Sequence, residues 1–262
     1  MSEALLHEPV VCLENVSKIF GSSERATTAV RDVSLQAYAG ELILLLGPSG
    51  SGKTTLLTLM AGLSQPTAGR VRLFGNFIDD YTPRSLQTLR ARRVGFVFQT
   101  FLLLDSLTAQ ENVAMVLRFN GHPEQERRRR ALALLERFEV GHLADKFPRT
   151  MSQGEKQRVA LARALANDAE LIIADEPTGS LETRQGLEII RLLHGQARDR
   201  KTCVIVASHD LRLAEFSDRI FRLEDGRMRV MESGEARAAL KIGQGGGSLS
   251  GTQDGIRSLT FS

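Results

Sequence analysis

Apolar and polar positions along the chain follow two periods, and the switches between them mark the elements. Val10 to Val16 and Leu35 to Ala37 read as early strands, joined by a polar loop around Gly21 to Thr28. Glu41 to Leu46 is a short apolar run that stops at Gly47, the pattern of a buried strand ended by a glycine loop. Thr54 to Ala61 continues as a helix. Arg70 to Phe74 and Phe77 to Ile78 flank Gly75-Asn76 and predict a hairpin. Pro83 to Arg93 predicts a helix and Val94 to Gln99 a strand. From Thr108 to about Leu165 the spacing is helical, with polar breaks at Asn120 to Pro123 and Lys146 to Arg149. Strands return at Leu171 to Ala174 and Cys203 to Ser208, separated by a helix from about Glu182 to Arg198, and Met228 to Met231 reads as a last strand. Strands on either side of a helical insert imply a mainly parallel α/β core interrupted by an α-helical subdomain.

Composition changes this picture little. A chain of 262 residues suits one large α/β domain, or a core with a subdomain. With 42% hydrophobic and 25% charged residues it has the balance of a soluble globular protein. Apolar runs such as Leu42 to Leu46 are too short to span a bilayer. Met1 to Pro9 carries Glu3, His7 and Glu8, unlike a signal peptide, so a cytoplasmic location is expected. The two cysteines, Cys12 and Cys203, form no framework, which fits a reducing compartment. The net charge of +3 permits contact with nucleic acid or an anionic membrane and requires neither. Arg127 to Arg130 lead a stretch in which Leu132, Leu135 and Phe138 recur at helix spacing. They read as a solvated helix face, with a headgroup-facing patch as the sharper alternative. From about Gly243 to Ser262 the chain is rich in Gly and Ser and reads as a flexible tail.

The chemistry lies in two segments. Gly47, Pro48, Ser49, Gly50, Ser51, Gly52, Lys53 and Thr54 match G-x-x-x-x-G-K-S/T, with Thr55 next in the helix. A triphosphate has to be met by backbone N–H groups, and glycines let the chain wrap it without Cβ clashes. The helix that follows aims its N-terminus at the anion. Lys53 would bridge the β- and γ-phosphate oxygens, and the Thr54 hydroxyl would ligate Mg²⁺. Downstream, the apolar run Leu171 to Ala174 ends in Asp175 and Glu176. Asp175 is suited to hold Mg²⁺ through water and Glu176 to polarise the attacking water as general base.

Met151-Ser152-Gln153-Gly154-Glu155-Lys156-Gln157-Arg158, running on to Ala164, resembles the signature segment of the ATP-binding cassette family, in which Leu-Ser-Gly-Gly-Gln opens a helix. Ser152 and Gly154 then correspond to groups that reach the γ-phosphate bound to a second copy, with Gln153 and Glu155 beside them. Ser152 also has the makings of a plain N-cap, with Glu155 completing a capping box, and both roles are compatible. The resemblance covers about residues 8–232, with the helical subdomain at about 100–165. It implies a P-loop core with an N-terminal antiparallel β portion, ATP and Mg²⁺ as ligands, and ATP hydrolysis. It also assigns Gln99 to the glutamine that senses Mg²⁺ and water, His209 to the switch histidine at the γ-phosphate, and Phe20 to the aromatic that stacks on adenine.

Two departures stand out: Ser-Gln-Gly-Glu replaces Ser-Gly-Gly-Gln, and Ser180-Leu181-Glu182 replaces the usual Ala-Leu-Asp. The first depends on Gln153 accepting its backbone conformation, and sets the Glu155 charge either to repel the nucleotide and weaken closure or to be offset by a cation such as Lys156. The stretch Gly95 to Val113, the polar loop between Phe20 and Ala29 and the turn Pro66 to Gly69 look like the lipoprotein-release and macrolide-efflux branch. That implies a motor subunit whose two copies dock near Gln99 to Leu107 beneath a membrane permease, peripherally at the cytoplasmic face of the inner membrane. Within that segment, Phe101 to Leu104 divide between permease contact and subdomain core. Alternatives are a soluble cassette protein acting on ribosomes or nucleic acid, and a force-transmitting ATPase that moves no solute. One cassette, no extended heptads and two scattered cysteines argue against nucleic acid as a partner.

Overall fold

The computed structural model describes residues 8–21, 26–119, 121–179, 181–232 and 235. The predicted tail and Ser180 fall outside them. Among the described residues there are ten strands, which form two sheets, and six α-helices. The first sheet is antiparallel, in the order β2-β1-β4-β5, from β1 (Val11–Phe20), β2 (Thr27–Ala37), β4 (Ala68–Leu73) and β5 (Asn76–Phe77). The second contains β3 (Leu42–Leu46), β6 (Val94–Val97), β7 (Leu171–Asp175), β8 (Cys203–Ser208), β9 (Arg219–Glu224) and β10 (Arg227–Met231). Its order is β10-β9-β3-β8-β7-β6, parallel except for β10.

β3, β7 and β8 are buried along their whole length because both faces of the parallel sheet are covered. Leu42, Leu44 and Leu46 join one core with Ile172, Val204 and the helical insert. Ile43 and Leu45 point the other way, toward α1 (Lys53–Met60) and the antiparallel sheet. Each such fully buried Leu or Ile contributes about 1.5–3 kcal/mol. Continuous apolar runs are the sequence consequence.

The insert between β6 and β7 comprises α3 (Ala109–Arg118), α4 (Glu124–Arg137) and α5 (Gln153–Ala164). Thr108 starts α3 with a capping box, accepting from Glu111 N at 3.2 Å while the Glu111 carboxylate accepts from Thr108 N at 2.8 Å. On α4, Arg128 and Arg130 pair one turn back with Glu124 at 3.2 Å and Glu126 at 2.9 Å, as a solvated face does. α2 (Pro83–Arg93) and α6 (Thr183–Arg200) complete the set.

Several expected boundaries move. β1 runs on past Val16 to Phe20 and β2 begins at Thr27 rather than Leu35, with register shifts along β1 that break its alternation. The hairpin turns at Phe74-Gly75, both at positive φ, because Leu73 pairs with Asn76. β6 ends at Val97, so Gln99 sits in the loop beyond it rather than on the strand. β9 was not expected from the sequence at all.

Candidate active site

Four loops converge where the parallel strands end, which is where an open α/β sheet places its ligands. Gly47 follows β3, Gln99 follows β6, Glu176 follows β7 and His209 follows β8. Between these loops and the insert lies a cleft of about 1140 Å³. Ser49, Gly50, Gly52, Lys53, Thr54, Thr55, Gln99, Asp175, Glu176 and His209 line it, and Gln153 faces them from α5.

The phosphate loop is shaped by two glycines at positive φ, Gly50 at +80° and Gly52 at +103°. At Gly52 a Cβ would lie 2.1 Å from the Ala29 carbonyl oxygen, so the loop is pressed against β2 and admits no side chain there. At Gly50 a Cβ would meet nothing within 4 Å, which leaves the backbone open to the cleft. Gly52 starts α1 without a side-chain cap, and no acidic residue occupies the first turn, so its N–H groups are available to an anion.

Lys53 is nearly buried, and its ammonium donates to the carbonyls of Gly47 at 2.8 Å and Pro48 at 3.0 Å. It lies 4.0 Å from Glu176 Oε1. Glu176 is itself at φ +50°, a left-handed conformation that swings its carboxylate off the strand and into the cleft. His209 Nδ1 sits 3.0 Å from Glu176 Oε2, and the Ser208 hydroxyl donates to the same oxygen at 3.4 Å. Glu176 thus has a cation on one side and an imidazole on the other.

The Thr54 hydroxyl donates to Asp175 Oδ2 at 2.6 Å. Burial pushes the Asp175 carboxyl up, partly offset by that hydrogen bond. Hydroxyl, carboxylate and the nearby Gln99 amide are hard oxygen donors of the kind Mg²⁺ takes. Among the described residues no cluster of three His, Cys, Asp or Glu could hold a metal alone, so further ligands would come from phosphate and water.

On the signature segment the capping box forms. Ser152 Oγ accepts from Glu155 N at 3.3 Å, and the Glu155 carboxylate accepts from Ser152 N at 2.7 Å. That amide, not Lys156, meets the Glu155 charge and holds its carboxyl below the usual range. Gln153 is the first residue of α5 and is not among the positive-φ residues, so no glycine is required there. A Cβ on Gly154 would come within 3.2 Å of Leu181.

Not every candidate residue lines the cleft. Gly47, Pro48 and Ser51 form its supporting turn, and Ser152, Gly154 and Glu155 lie at the start of α5 outside it. Phe20 is exposed at the end of β1, with Lys18 over its ring at 5.3 Å, and is also outside the cleft. Phe101 is buried and Leu103 packs against the same core, while Leu102 and Leu104 are 53% and 44% exposed. Sequence reasoning missed Ala29, whose carbonyl abuts Gly52, and Ser208, whose hydroxyl reaches Glu176. Neither residue type carries a signal of its own.

A phosphate loop at the end of a buried parallel strand, facing two carboxylates from the next strand but one, defines a P-loop nucleoside triphosphatase. The profile of the ABC transporter family matches residues 30–179. An uncharacterized ABC transporter ATP-binding protein of Thermotoga maritima is 43% identical over 223 residues, covering 85% of this chain and 95% of that protein. The macrolide export ATP-binding/permease protein MacB of Brucella melitensis biotype 1 is 40% identical over 84% of this chain. The chain spans only 34% of that relative's length. Among solved structures, the dimeric bacterial ABC transporter cassette MJ0796 is 38% identical, with a TM-score of 0.81 over 85% of this chain and 99% of that one. The same cassette is also known as a dimer in a post-hydrolysis state bound to ADP and Pi, again at a TM-score of 0.81. The chain belongs to the ABC transporter ATP-binding family, and it is an ATPase cassette with that family's P-loop fold.

Proposed function

We propose that two copies of this cassette close over two Mg-ATP molecules and drive a separate membrane permease. The observation that carries this reading is the split site: the cleft holds phosphate-loop, Asp175 and Glu176 groups, whereas Ser152 and Gly154 stand at a helix start outside it. A second copy can bring them to the γ-phosphate. Lys53 and the loop amides of residues 47–52 bind the phosphates, Thr55 extends that set, and Phe20 offers a ring to adenine. Mg²⁺, held by Thr54, Asp175 and Gln99, would neutralise charge on the phosphate oxygens. Glu176 takes the proton of the attacking water, with His209 fixing its carboxylate and contacting the γ-phosphate. The water oxygen bonds to the γ-phosphorus as its bond to the β-phosphate oxygen breaks, giving ADP and phosphate; no single nucleotide then spans the two copies, and they part.

Residues 8–232 form the working cassette, and the insert at about 100–165 carries the partner-facing surface. The exposed Leu102 and Leu104 beside Gln99 support a permease docking site within Gln99 to Leu107. Such a cassette sits peripherally at the cytoplasmic face of the inner membrane. The MacB relatives favour export or extrusion of a lipid, lipoprotein or drug.

Glu176→Gln tests the chemistry. It should retain ATP binding and lower hydrolysis about 10²–10⁴-fold, the usual worth of general-base assistance. Wild-type turnover in that variant excludes the role. A detergent pull-down of tagged Glu176→Gln with Mg-ATP should recover a polytopic permease, lost when Leu102 and Leu104 are both Ala. Recovery of ribosomes alone would instead favour the soluble-cassette alternative.

A further inference from the structure

The loop that leaves the cleft after Gln99 is held in an uncommon shape. Phe101 and Leu102 are consecutive and neither is glycine, yet both are at left-handed φ, +61° and +46°. Local hydrogen bonds, Phe101 N to Phe98 O at 2.9 Å and Leu102 N to Thr100 O at 2.7 Å, form the turn. They do not by themselves overcome the preference of L-residues against this region.

The missing restraint comes from another helix. Arg163, near the C-terminal end of α5, donates from Nη1 to Leu102 O and from Nη2 to Phe101 O, each at 2.6 Å. A planar guanidinium fork suits two adjacent carbonyls turned the same way, and a lysine has no equivalent geometry. The far end of the loop is fixed separately. Asn112 of α3, fully buried, accepts from Leu104 N at 2.8 Å and directs its amide to the carbonyls of Leu104, Leu107 and Thr108. Between these two clamps the loop buries Phe101, leaves Leu102 half-exposed at the edge of the cleft and leaves Leu104 exposed outside it.

The helix carrying the fork is the signature helix. Its first turn is Ser152 to Glu155, and twelve residues of α helix span about 18 Å. Midway along it, Arg158 donates to Phe138 O at 3.1 Å and pairs with Glu139 at 2.9 Å, fastening α5 to the end of α4. One helix therefore carries the signature turn at its start and the clamp on the Gln99 loop near its end.

We infer that Arg163 is a positioning residue that holds the 98–104 loop in its left-handed turn, the conformation that sets Gln99 toward the cleft. The inference rests on the ATP-sandwich reading above.

The test uses the full chain with Arg163→Ala, Arg163→Lys and the double variant Arg163→Ala/Leu102→Gly. Kd for ATP, kcat and amide hydrogen exchange over residues 98–104 are measured for each. Arg163→Ala should keep ATP affinity within about twofold and lower kcat about 10–100-fold, the usual cost of a misplaced catalytic group. Exchange should rise in the loop and not in α5. Leu102→Gly should recover part of kcat in the Arg163→Ala background, because glycine adopts positive φ without the restraint. A general folding defect has no reason to respond to glycine at that position.

If Arg163→Ala does not fold, Arg163→Lys is read by the same criteria, since it keeps the charge and loses the fork. Wild-type kcat and loop protection in the variant read overturn the inference, as does a fall in kcat accompanied by uniform exchange across the insert. Glu176→Gln, run in parallel, separates the two levels. If it hydrolyses ATP normally, the site reading fails. If it is inactive while Arg163 variants behave as wild type, only the positioning role of Arg163 fails.

Discussion

At the residue scale, the phosphate loop has almost no freedom left in its sequence. The Gly52 backbone stands against the Ala29 carbonyl and at a φ that L side chains rarely adopt. Gly52→Ala should therefore fail on two counts, steric contact with backbone and conformational strain, and strain alone costs about 1–3 kcal/mol. A purified Gly52→Ala protein should melt well below wild type and show little nucleotide binding in a fluorescence titration. Lys53 is more permissive for folding and less so for function. Its ammonium bridges two loop carbonyls and approaches Glu176, so Lys53→Ala should leave the sheet intact. A hydrogen bond to a charged group is worth about 1.5–3 kcal/mol, or about 10–150-fold in affinity. Calorimetric titration with ATP should register a loss of at least that lower bound, and unchanged affinity would remove Lys53 from the phosphate site.

At the element scale, the start of α5 gives a pH-dependent prediction. The Glu155 carboxyl is held below its ordinary range because the Ser152 amide donates to it. A depressed carboxylate pKa means that the fold binds the ionised form better than the unfolded chain does. Its contribution is therefore full above the ordinary glutamate range and disappears as pH falls through the lowered value. Glu155→Gln should cost about 0.3–1 kcal/mol at neutral pH, the worth of an anion at a helix N-terminus. Urea titrations should show that difference vanish in acid. A constant difference down to low pH would mean that the carboxylate charge has no part in the cap. Asn112 is a harder constraint: Asn112→Ala strips four loop hydrogen bonds at a buried position, and chemical denaturation should show about 2–3 kcal/mol of lost stability.

Elements with a strong local pattern were legible in the sequence. The run Leu42 to Leu46, the glycine loop and the proline-started helix at residue 83 all lie where periodicity and cap residues put them. The phosphate loop and the Asp175-Glu176 pair were legible because their residue types and spacing are themselves the chemistry. β9 was not, since Arg219, Arg222 and Glu224 interrupt its apolar positions and only its parallel pairing with β3 makes it a strand. The length of β1 was hidden by its register shifts. The Arg163 clamp was invisible for a different reason: its acceptors are backbone carbonyls sixty-odd residues away, and backbone leaves no mark in residue identity.

At the scale of the whole molecule, the split between cleft and signature turn predicts association controlled by nucleotide. Glu176→Gln with Mg-ATP should scatter light as a particle of twice the 28.8 kDa chain and return to the single-chain mass when ATP is replaced by ADP. A mass that stays at one chain under ATP would oppose the sandwich. The same fold has an outcome during synthesis. β3 is made early and has only leucine and isoleucine side chains, but its sheet neighbours are residues 203–208 and 219–224. A ribosome must therefore translate most of the chain before this strand can be covered on either edge, and pairing across such sequence separation is slow. Nascent chains arrested before residue 203 should consequently stay protease-sensitive at β3 and associate with holdase chaperones, whereas chains extended past residue 224 and clear of the exit tunnel should become resistant in one step.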